Sequence, residues 1–287
     1  MRLKLIYNPA AGRGRAQQRA REVESHLRAL GADVDAHASS NPADLTRVAA
    51  ESSRQSYDRV VICGGDGTVN LAIREFDLQR GTLAIIPLGS GDDFARVLGI
   101  PRGVAAACQL AVSGMARSVD VALANDLRYA GVAGLGFDSE VARYAGEHVT
   151  WLRGSAVYLY AILRVLPRFR PRHVWINGRD EEVMFAVFAN TPQYGGGIRI
   201  APDALLTDGC LDVCIVHRTS RFQLLKTLPR AYTGTHVRSP FVETRRGEIF
   251  RVDADPPLDV YADGERLTQT PVKFSIAKEQ LRVVASR

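Results

Sequence analysis

The chain has 287 residues, of which 46% are hydrophobic and 24% charged, and it carries a net charge of +6. That balance excludes a disordered or fibrous protein and supplies apolar residues for about two domains. The 37 basic residues include only four lysines (Lys4, Lys226, Lys273 and Lys278), and arginine's planar fork suits phosphate recognition. The positive charge is compatible with nucleotides or anionic lipid surfaces. Its scatter, without a compact basic stripe interleaved with aromatics, argues against nucleic acid as a partner. Cys63, Cys108, Cys210 and Cys214 form no CxxC pair, and three of them lie in apolar runs. They read as buried free thiols in a reducing cytoplasm. No apolar run approaches the ~20 residues of a membrane span, and Asn8-Pro9 comes too early for the segment before it to be a signal peptide.

In chain order, Leu3 to Tyr7 reads as a buried strand ending in the small-residue loop Asn8-Pro9-Ala10-Ala11-Gly12-Arg13-Gly14. A helix follows from about Arg15 to Leu30, with Ala20, Val23, Leu27 and Leu30 at helical spacing and Gly31 as its C-cap. Asp33 to Ala38 is a second strand. Asn41-Pro42 opens a second helix, with a cap residue followed by proline at the first helical position. The run Arg59-Val60-Val61-Ile62 is a third strand. It leads into Cys63-Gly64-Gly65-Asp66-Gly67-Thr68 and a helix predicted to reach Phe76. Leu83 to Ile86 is a fourth strand, followed by Pro87-Leu88-Gly89-Ser90-Gly91-Asp92-Asp93-Phe94-Ala95-Arg96. Alternating strands and helices predict a parallel sheet, whose ligands bind at the carboxyl ends of its strands. Three of these strands end there in loops of small residues.

The second of those loops places three glycines around a carboxylate just before a helix start. Such a loop brings backbone N–H groups and the positive end of the helix dipole to a phosphate. It has neither the lysine of a Walker A loop nor GxGxxG spacing. Asp66 repels phosphate unless a cation stands between them, and Mg²⁺ is the natural one. The alternative is a tight strand-to-helix turn capped by Asp66. In the third loop Asp92 and Asp93 are either helix caps favoured by the dipole or part of the same site.

After a helix over Val104 to Val112 the pattern changes to short β segments: Val119–Leu123, Tyr129–Phe137, His173–Ile176, Val183–Ala189, Leu211–Val216, Ile249–Val252, Leu258–Ala262, Val272–Ile276 and Leu281–Ala285. Asn177-Gly178 and Asp263-Gly264 are hairpin signals. The expected organisation is an α/β domain over 1–117 and a mainly antiparallel β-sandwich domain over 118–287, with the extreme C-terminus packing back on the first. Trp151 to Phe169 is apolar and aromatic among Arg153, Arg164, Arg168 and Arg170. It reads as an amphipathic helix packed on the second domain or as a segment lying against a membrane surface.

Taken together, Asn8-Pro9-Ala10-Ala11-Gly12, Gly64-Gly65-Asp66-Gly67-Thr68 and Pro87 to Ala95 resemble the catalytic domain of the diacylglycerol kinase family. The closest likeness is to soluble bacterial lipid kinases, relatives of sphingosine kinases and NAD kinases. Ala201-Pro202-Asp203-Ala204 with Asp208-Gly209-Cys210-Leu211-Asp212-Val213, and Asp263-Gly264-Glu265, resemble later signatures of the family. The resemblance implies ATP- and Mg²⁺-dependent phosphorylation of a lipid hydroxyl, in a cleft between an NAD-kinase-like α/β domain and a β-sandwich domain. It implies nucleotide contacts from Asn8, Arg13, Gly64, Gly65, Asp66, Gly67, Thr68, Gly89, Ser90, Asp92 and Asp93. Asp66 and Asp93 would organise Mg²⁺, and Asp208 with the Cys210 carbonyl would belong to a structural Mg²⁺ site. Asp263 would be the catalytic base, supported by Glu265. Where the family has Gly-Thr-x-Asn-Asp, this chain has Gly89-Ser90-Gly91-Asp92-Asp93. Asp92 replaces a neutral amide with an acceptor-only charge, which calls for a compensating metal ion or arginine. The implied setting is cytoplasmic, peripheral at the inner membrane face, with a lipid alcohol as substrate, reversible membrane contact and a homodimer left open. Two alternatives are a kinase of a soluble acceptor, as in NAD kinase, and an inactive nucleotide- or lipid-binding regulator on the same fold.

Overall fold

The structure, a computed structural model, describes residues 1–9, 15–149, 151–152 and 155–286. It contains two compact units, one made of 1–121 with 278–287 and the other of 122–277.

The first unit is built on a six-stranded sheet in the order β2-β1-β3-β4-β17-β5. Its strands are β1 (Arg2–Tyr7), β2 (Asp33–Ala38), β3 (Arg59–Gly64), β4 (Thr82–Pro87), β5 (Met115–Val119) and β17 (Leu281–Ala285). The first four are mutually parallel, in a register that aligns Tyr7 with Cys63 and Gly64 with Pro87. The loops after β1, β3 and β4 therefore leave the sheet at one edge. β3 and β4 are buried almost throughout, as expected for strands covered on both faces. The helices are α1 (Arg15–Ala29), α2 (Pro42–Arg54), α3 (Asp66–Ile73), α4 (Asp93–Val97) and α5 (Val104–Ser113). The Asn41 side chain caps α2 by accepting from the Asp44 N–H at 2.9 Å, ahead of proline at its first position.

Several boundaries differ from the sequence reading, among them Tyr129–Phe137, which is divided between a strand over Leu127–Tyr129, another over Val132–Gly136 and a helix that opens at Phe137. Helix α3 begins at Asp66 and ends at Ile73, so Gly67 and Thr68 lie in its first turn and not in the preceding loop. The run Val119–Leu123 is not one strand. Val119 ends β5 in the first sheet, and a separate strand starts at Ala122 in the second.

The second unit holds an eleven-stranded sheet whose pairs among the described residues are all antiparallel. Its path is β15 (Glu265–Gln269), β14 (Asp259–Ala262), β8 (Val132–Gly136), β10 (Arg179–Ala189), β9 (Arg172–Ile176), β13 (Ile249–Asp253), β16 (Val272–Ile276), β6 (Ala122–Ala124) and β7 (Leu127–Tyr129). β11 (Leu211–His217) branches off β10 and carries β12 (Val242–Gly247). The curled sheet encloses a core in which Phe188 stacks on Phe274 at 3.9 Å. Tyr129 is fully buried there and donates its hydroxyl to the Phe188 carbonyl at 3.1 Å. Both predicted hairpins form. Asn177-Gly178 joins β9 to β10 and Asp263-Gly264 joins β14 to β15, with positive φ at all four residues, as two-residue primed turns require.

A second apolar layer lies against this sheet under α6 (Phe137–His148) and α7 (Ser155–Val165), with α8 (Arg221–Thr233) at its margin. Among the described residues no helix is long and apolar enough to cross a membrane. Cys63, Cys108 and Cys214 are buried free thiols and Cys210 is half-buried. Burial pushes Cys108 up to about 11 and Cys214 up to about 12, which keeps both protonated and unreactive.

Phe188 is fully buried between Phe274 and Phe250. Phe188→Ala is expected to cost about 3–5 kcal/mol, from lost transfer energy and the cavity left behind. A urea midpoint equal to that of the wild type would show that this stack does not hold the second unit together.

Candidate functional site

In the first unit the loops after β3 and β4 are joined by a carboxylate. Asp66 accepts from the backbone N–H groups of Asp93 at 3.2 Å and Phe94 at 3.1 Å, one on each oxygen. It thus caps α4 from the first position of α3. The two loops also meet backbone to backbone. A Cβ on Gly89 would lie 2.6 Å from the Gly65 Cα and 2.6 Å from Asp92 Oδ1, and one on Gly65 would lie 3.1 Å from the Gly89 Cα. The Gly64 position is closed to a Cβ by the Thr68 side chain. These glycines are therefore needed for loop-to-loop packing before any ligand arrives. The Leu88 N–H adds a further tie to the Gly64 carbonyl at 3.0 Å.

Asp92 sits at φ 52°, ψ 42° at the head of α4, a left-handed conformation that Asp and Asn tolerate better than most residues. It is buried, and its Oδ1 accepts from the Gly89 N–H at 2.9 Å. Burial, and then the charge of Asp66, push its carboxyl up to about 6; the Gly89 bond and Arg102 pull the other way, and Asp93 adds to the rise. Two arginines serve this loop: Arg96 and Arg102 each donate to the Gly91 carbonyl, at 2.9 and 3.1 Å. Arg96 also pairs with Asp93 at 3.3 Å. Asp93 is buried, Gly89 and Ser90 are exposed, and Asp66, Gly67 and Thr68 are half-buried.

Three carboxylates thus converge on one pair of loops, and their mutual repulsion appears in the raised pKa of Asp92. Oxygen donors of this kind are those a hard divalent cation takes. Asn8 follows β1 at the same sheet edge. Arg13 and the rest of its loop lie outside the described residues.

The other expected site residues belong to the second unit. The two oxygens of Asp263 accept from the backbone N–H groups of Gly131 and Val132, both at 3.0 Å. The Asp263 N–H returns to the Val132 carbonyl at 3.1 Å. A Cβ on Gly131 would collide with the Asp263 carboxylate, so that glycine makes the close approach possible. Glu265 is exposed at the start of β15.

Asp208 accepts from the Cys210 N–H at 3.0 Å and pairs with the Arg246 guanidinium on β12. The Arg246 guanidinium thus stands beside this carboxylate as a cation supplied by the chain itself.

Sequence reasoning missed Gly131, Arg102 and a half-buried polar pair, Asp138 with Tyr194. The run Gly131-Val132-Ala133-Gly134-Leu135-Gly136 holds a usable signal, since glycines within a strand mark close approach by another group.

The family model for the diacylglycerol kinase catalytic domain matches residues 2–124. The model for the YegS C-terminal NAD kinase beta sandwich-like domain matches residues 131–285. The chain is similar to a Mycobacterium tuberculosis (strain ATCC 25618 / H37Rv) protein named diacylglycerol kinase, at 32% identity over 98% of this chain and 94% of that one. A Bacillus subtilis (strain 168) protein of the same name is 28% identical, over 99% of this chain and 96% of its own. A crystal structure of a Bacillus anthracis str. Sterne protein shares the fold with a TM-score of 0.84, at 24% identity over 99% of this chain and 95% of that one.

Two variants test the loop junction. Gly89→Ala is expected to destabilise the first unit by about 1–3 kcal/mol, because backbone stands where the methyl group must go; a fully wild-type melting profile would contradict the packing described. The raised pKa of Asp92 means that the folded state binds its proton more tightly than the unfolded chain does. Its contribution is therefore present below about pH 4 and lost as the pH rises through about 6. Asp92→Asn keeps the left-handed turn and the acceptor oxygen but removes the charge. It is expected to match the wild type near pH 4 and to exceed it by on the order of 1 kcal/mol at pH 8, after allowance for partial solvation. Urea titrations at both pH values check this, and an equal difference at both would refute it.

Proposed function

The chain belongs to the diacylglycerol kinase family, and we propose that it transfers the γ-phosphoryl group of ATP, as its Mg²⁺ complex, to the hydroxyl of a lipid alcohol. The observation that carries this reading is the Asp66 junction. It presents the first turn of α3, three carboxylates and two arginines together at the carboxyl edge of a parallel sheet. Phosphoryl transfer is mostly positioning and charge stabilisation, and that set of groups suits the task.

Backbone N–H groups at the start of α3 would face the phosphates. Asp66 and Asp93 would hold Mg²⁺, which neutralises charge on the transferring group when bound. The donors at Gly131 and Val132 fix the orientation of the Asp263 carboxylate. One of its oxygens would accept the proton of the attacking hydroxyl. Glu265, two residues further on, would add negative charge beside that proton.

A surface of the second unit supports access to a membrane-borne substrate. One face of α7 packs into the apolar layer through Ala161, Val157, Tyr158 and Ile162. The opposite face leaves Leu159 and Leu163 more than half exposed, at 51% and 53%. Trp151 meets Tyr160 edge-on at 5.3 Å, and Phe222 on α8 is 76% exposed. Arg221, which opens α8, reaches the Phe169 carbonyl at 3.5 Å, so α8 begins beside the segment that follows α7. Arg164, Arg168, Arg170 and Arg221 are exposed around these residues. Apolar side chains ringed by arginine suit reversible docking on an anionic leaflet, which here would be the inner membrane face.

Purified protein with labelled ATP, Mg²⁺ and lipid alcohols in mixed micelles is expected to yield a labelled lipid. Asp263→Asn, which keeps the turn, should lower turnover at least ~100-fold; unchanged turnover would remove Asp263 from the role of base. Nucleotide binding without transfer to any lipid alcohol would favour an inactive regulator instead. Cosedimentation should be stronger with anionic than with neutral vesicles, and Leu159→Glu with Leu163→Glu should weaken it by about tenfold or more. Equal binding to both vesicle types would refute electrostatic docking.

A further inference from the structure

The apolar layer under α6 and α7 contains an ionisable pair. Tyr194 donates its hydroxyl to Asp138 Oδ1 at 2.5 Å. Asp138 lies in the first turn of α6. Tyr194 stands at the base of the loop Gly195-Gly196-Gly197, in which all three residues have positive φ. Reciprocal backbone bonds with Ile198, at 3.0 and 2.9 Å, close that loop and fix the tyrosine. The second carboxylate oxygen, Asp138 Oδ2, lies outside that bond. It occupies the space over Gly134, where a Cβ would collide with it and would come within 3.0 Å of Val187. The strand thus gives up a side chain to make room for an oxygen. Asp138 is half-buried; burial pushes its carboxyl up to about 6, and the Tyr194 hydrogen bond pulls the other way.

The pair points toward the acceptor end of the proposed reaction. Tyr158 on α7 and Tyr194 pack against the same apolar layer. The hydroxyl of Tyr158 lies 3.2 Å from where a Cβ on Gly264 would stand. Gly264 is the neighbour of Asp263, and α6 packs on both strands of that hairpin. Tyr158 thus stands between the Asp263-Gly264 turn and the apolar layer that holds Tyr194.

An ionised carboxylate only accepts hydrogen bonds. Left without a donor in such a layer it is destabilised, and a donor on a ligand recovers that cost. We propose that Asp138, oriented by Tyr194, binds a second hydrogen-bond donor on the headgroup of the acceptor lipid, a hydroxyl or ammonium group adjacent to the hydroxyl that is phosphorylated. This rests on the lipid-kinase reading and narrows it. Monoacylglycerols and sphingoid bases carry such a donor, whereas diacylglycerols and polyprenols offer only the reacting hydroxyl. A site built around a polar partner discriminates strongly against ligands that lack it.

The test is direct binding without ATP, so that it does not depend on turnover. Monooctanoylglycerol is compared with 3-hydroxypropyl octanoate, the same ester without the second hydroxyl, and 2-amino-1-decanol with 1-decanol, each below its micellar concentration by titration calorimetry. The wild type is expected to bind the donor-bearing member at least about tenfold more tightly in one pair or both. The pair that responds tells hydroxyl from ammonium. Asp138→Asn should erase the preference, whereas Tyr194→Phe, which frees Oδ1 and keeps the ring, should retain it. Equal binding within both pairs, or a preference that survives Asp138→Asn, would overturn the proposal. A preference seen in a protein that phosphorylates no lipid would instead sink the kinase reading and leave the binding site standing.

Discussion

The first unit turns on one arrangement, a carboxylate that caps a helix belonging to another loop. Asp66 takes the N–H groups of Asp93 and Phe94, and this fixes where α4 begins. Gly65 and Gly89 must then touch backbone to backbone, since no Cβ fits between them. Asp92 is driven into a left-handed conformation at the junction, with its carboxyl folded back onto the Gly89 N–H. The electrostatic character of the site follows from the same geometry. Carboxylates that serve as structural caps are brought close enough to repel one another, and arginines offset part of the surplus charge.

Asp263 repeats the device in the second unit. It too bridges to consecutive N–H groups of a distant segment, and a glycine, Gly131, makes the approach possible. In both units a candidate functional carboxylate is immobilised by backbone donors before any substrate binds. Preorganisation of this kind means that little reorganisation is required when charge moves during the reaction.

Much of this was legible in the sequence, and the rest was hidden for identifiable reasons. The strand–loop–helix alternation, the Asn41-Pro42 helix start and the Asn-Gly and Asp-Gly hairpins are written in local chemistry, and the structure has them. The three glycine loops were visible as a set, but the purpose of Gly64, Gly65 and Gly89 was not. Contact between loops 24 positions apart (Gly65 to Gly89) leaves no periodic trace. The Asp92 substitution looked like added charge, whereas its backbone conformation and its burial emerge only from the fold. Arg246 at Asp208 depends on the pairing of β11 with β12, and the charged, alternating run Val242–Gly247 had not been read as a strand. Asp138 was invisible because nothing in Phe137-Asp138-Ser139 distinguishes it from an ordinary first-turn carboxylate.

The last strand carries a consequence for how the molecule is made. β17 inserts between β4 and β5, pairing parallel with one and antiparallel with the other. The sheet that begins at residue 2 therefore lacks an inner strand until residues 281–285 have been synthesised, after the whole second unit. Until then β4 presents an open apolar edge, the sort of edge that recruits foreign strands. Closing it needs a pairing across 200 positions, Thr82 with Arg282, which slows folding. The first unit must wait for its final strand. The vulnerable period for aggregation falls on the unit that carries the candidate site loops.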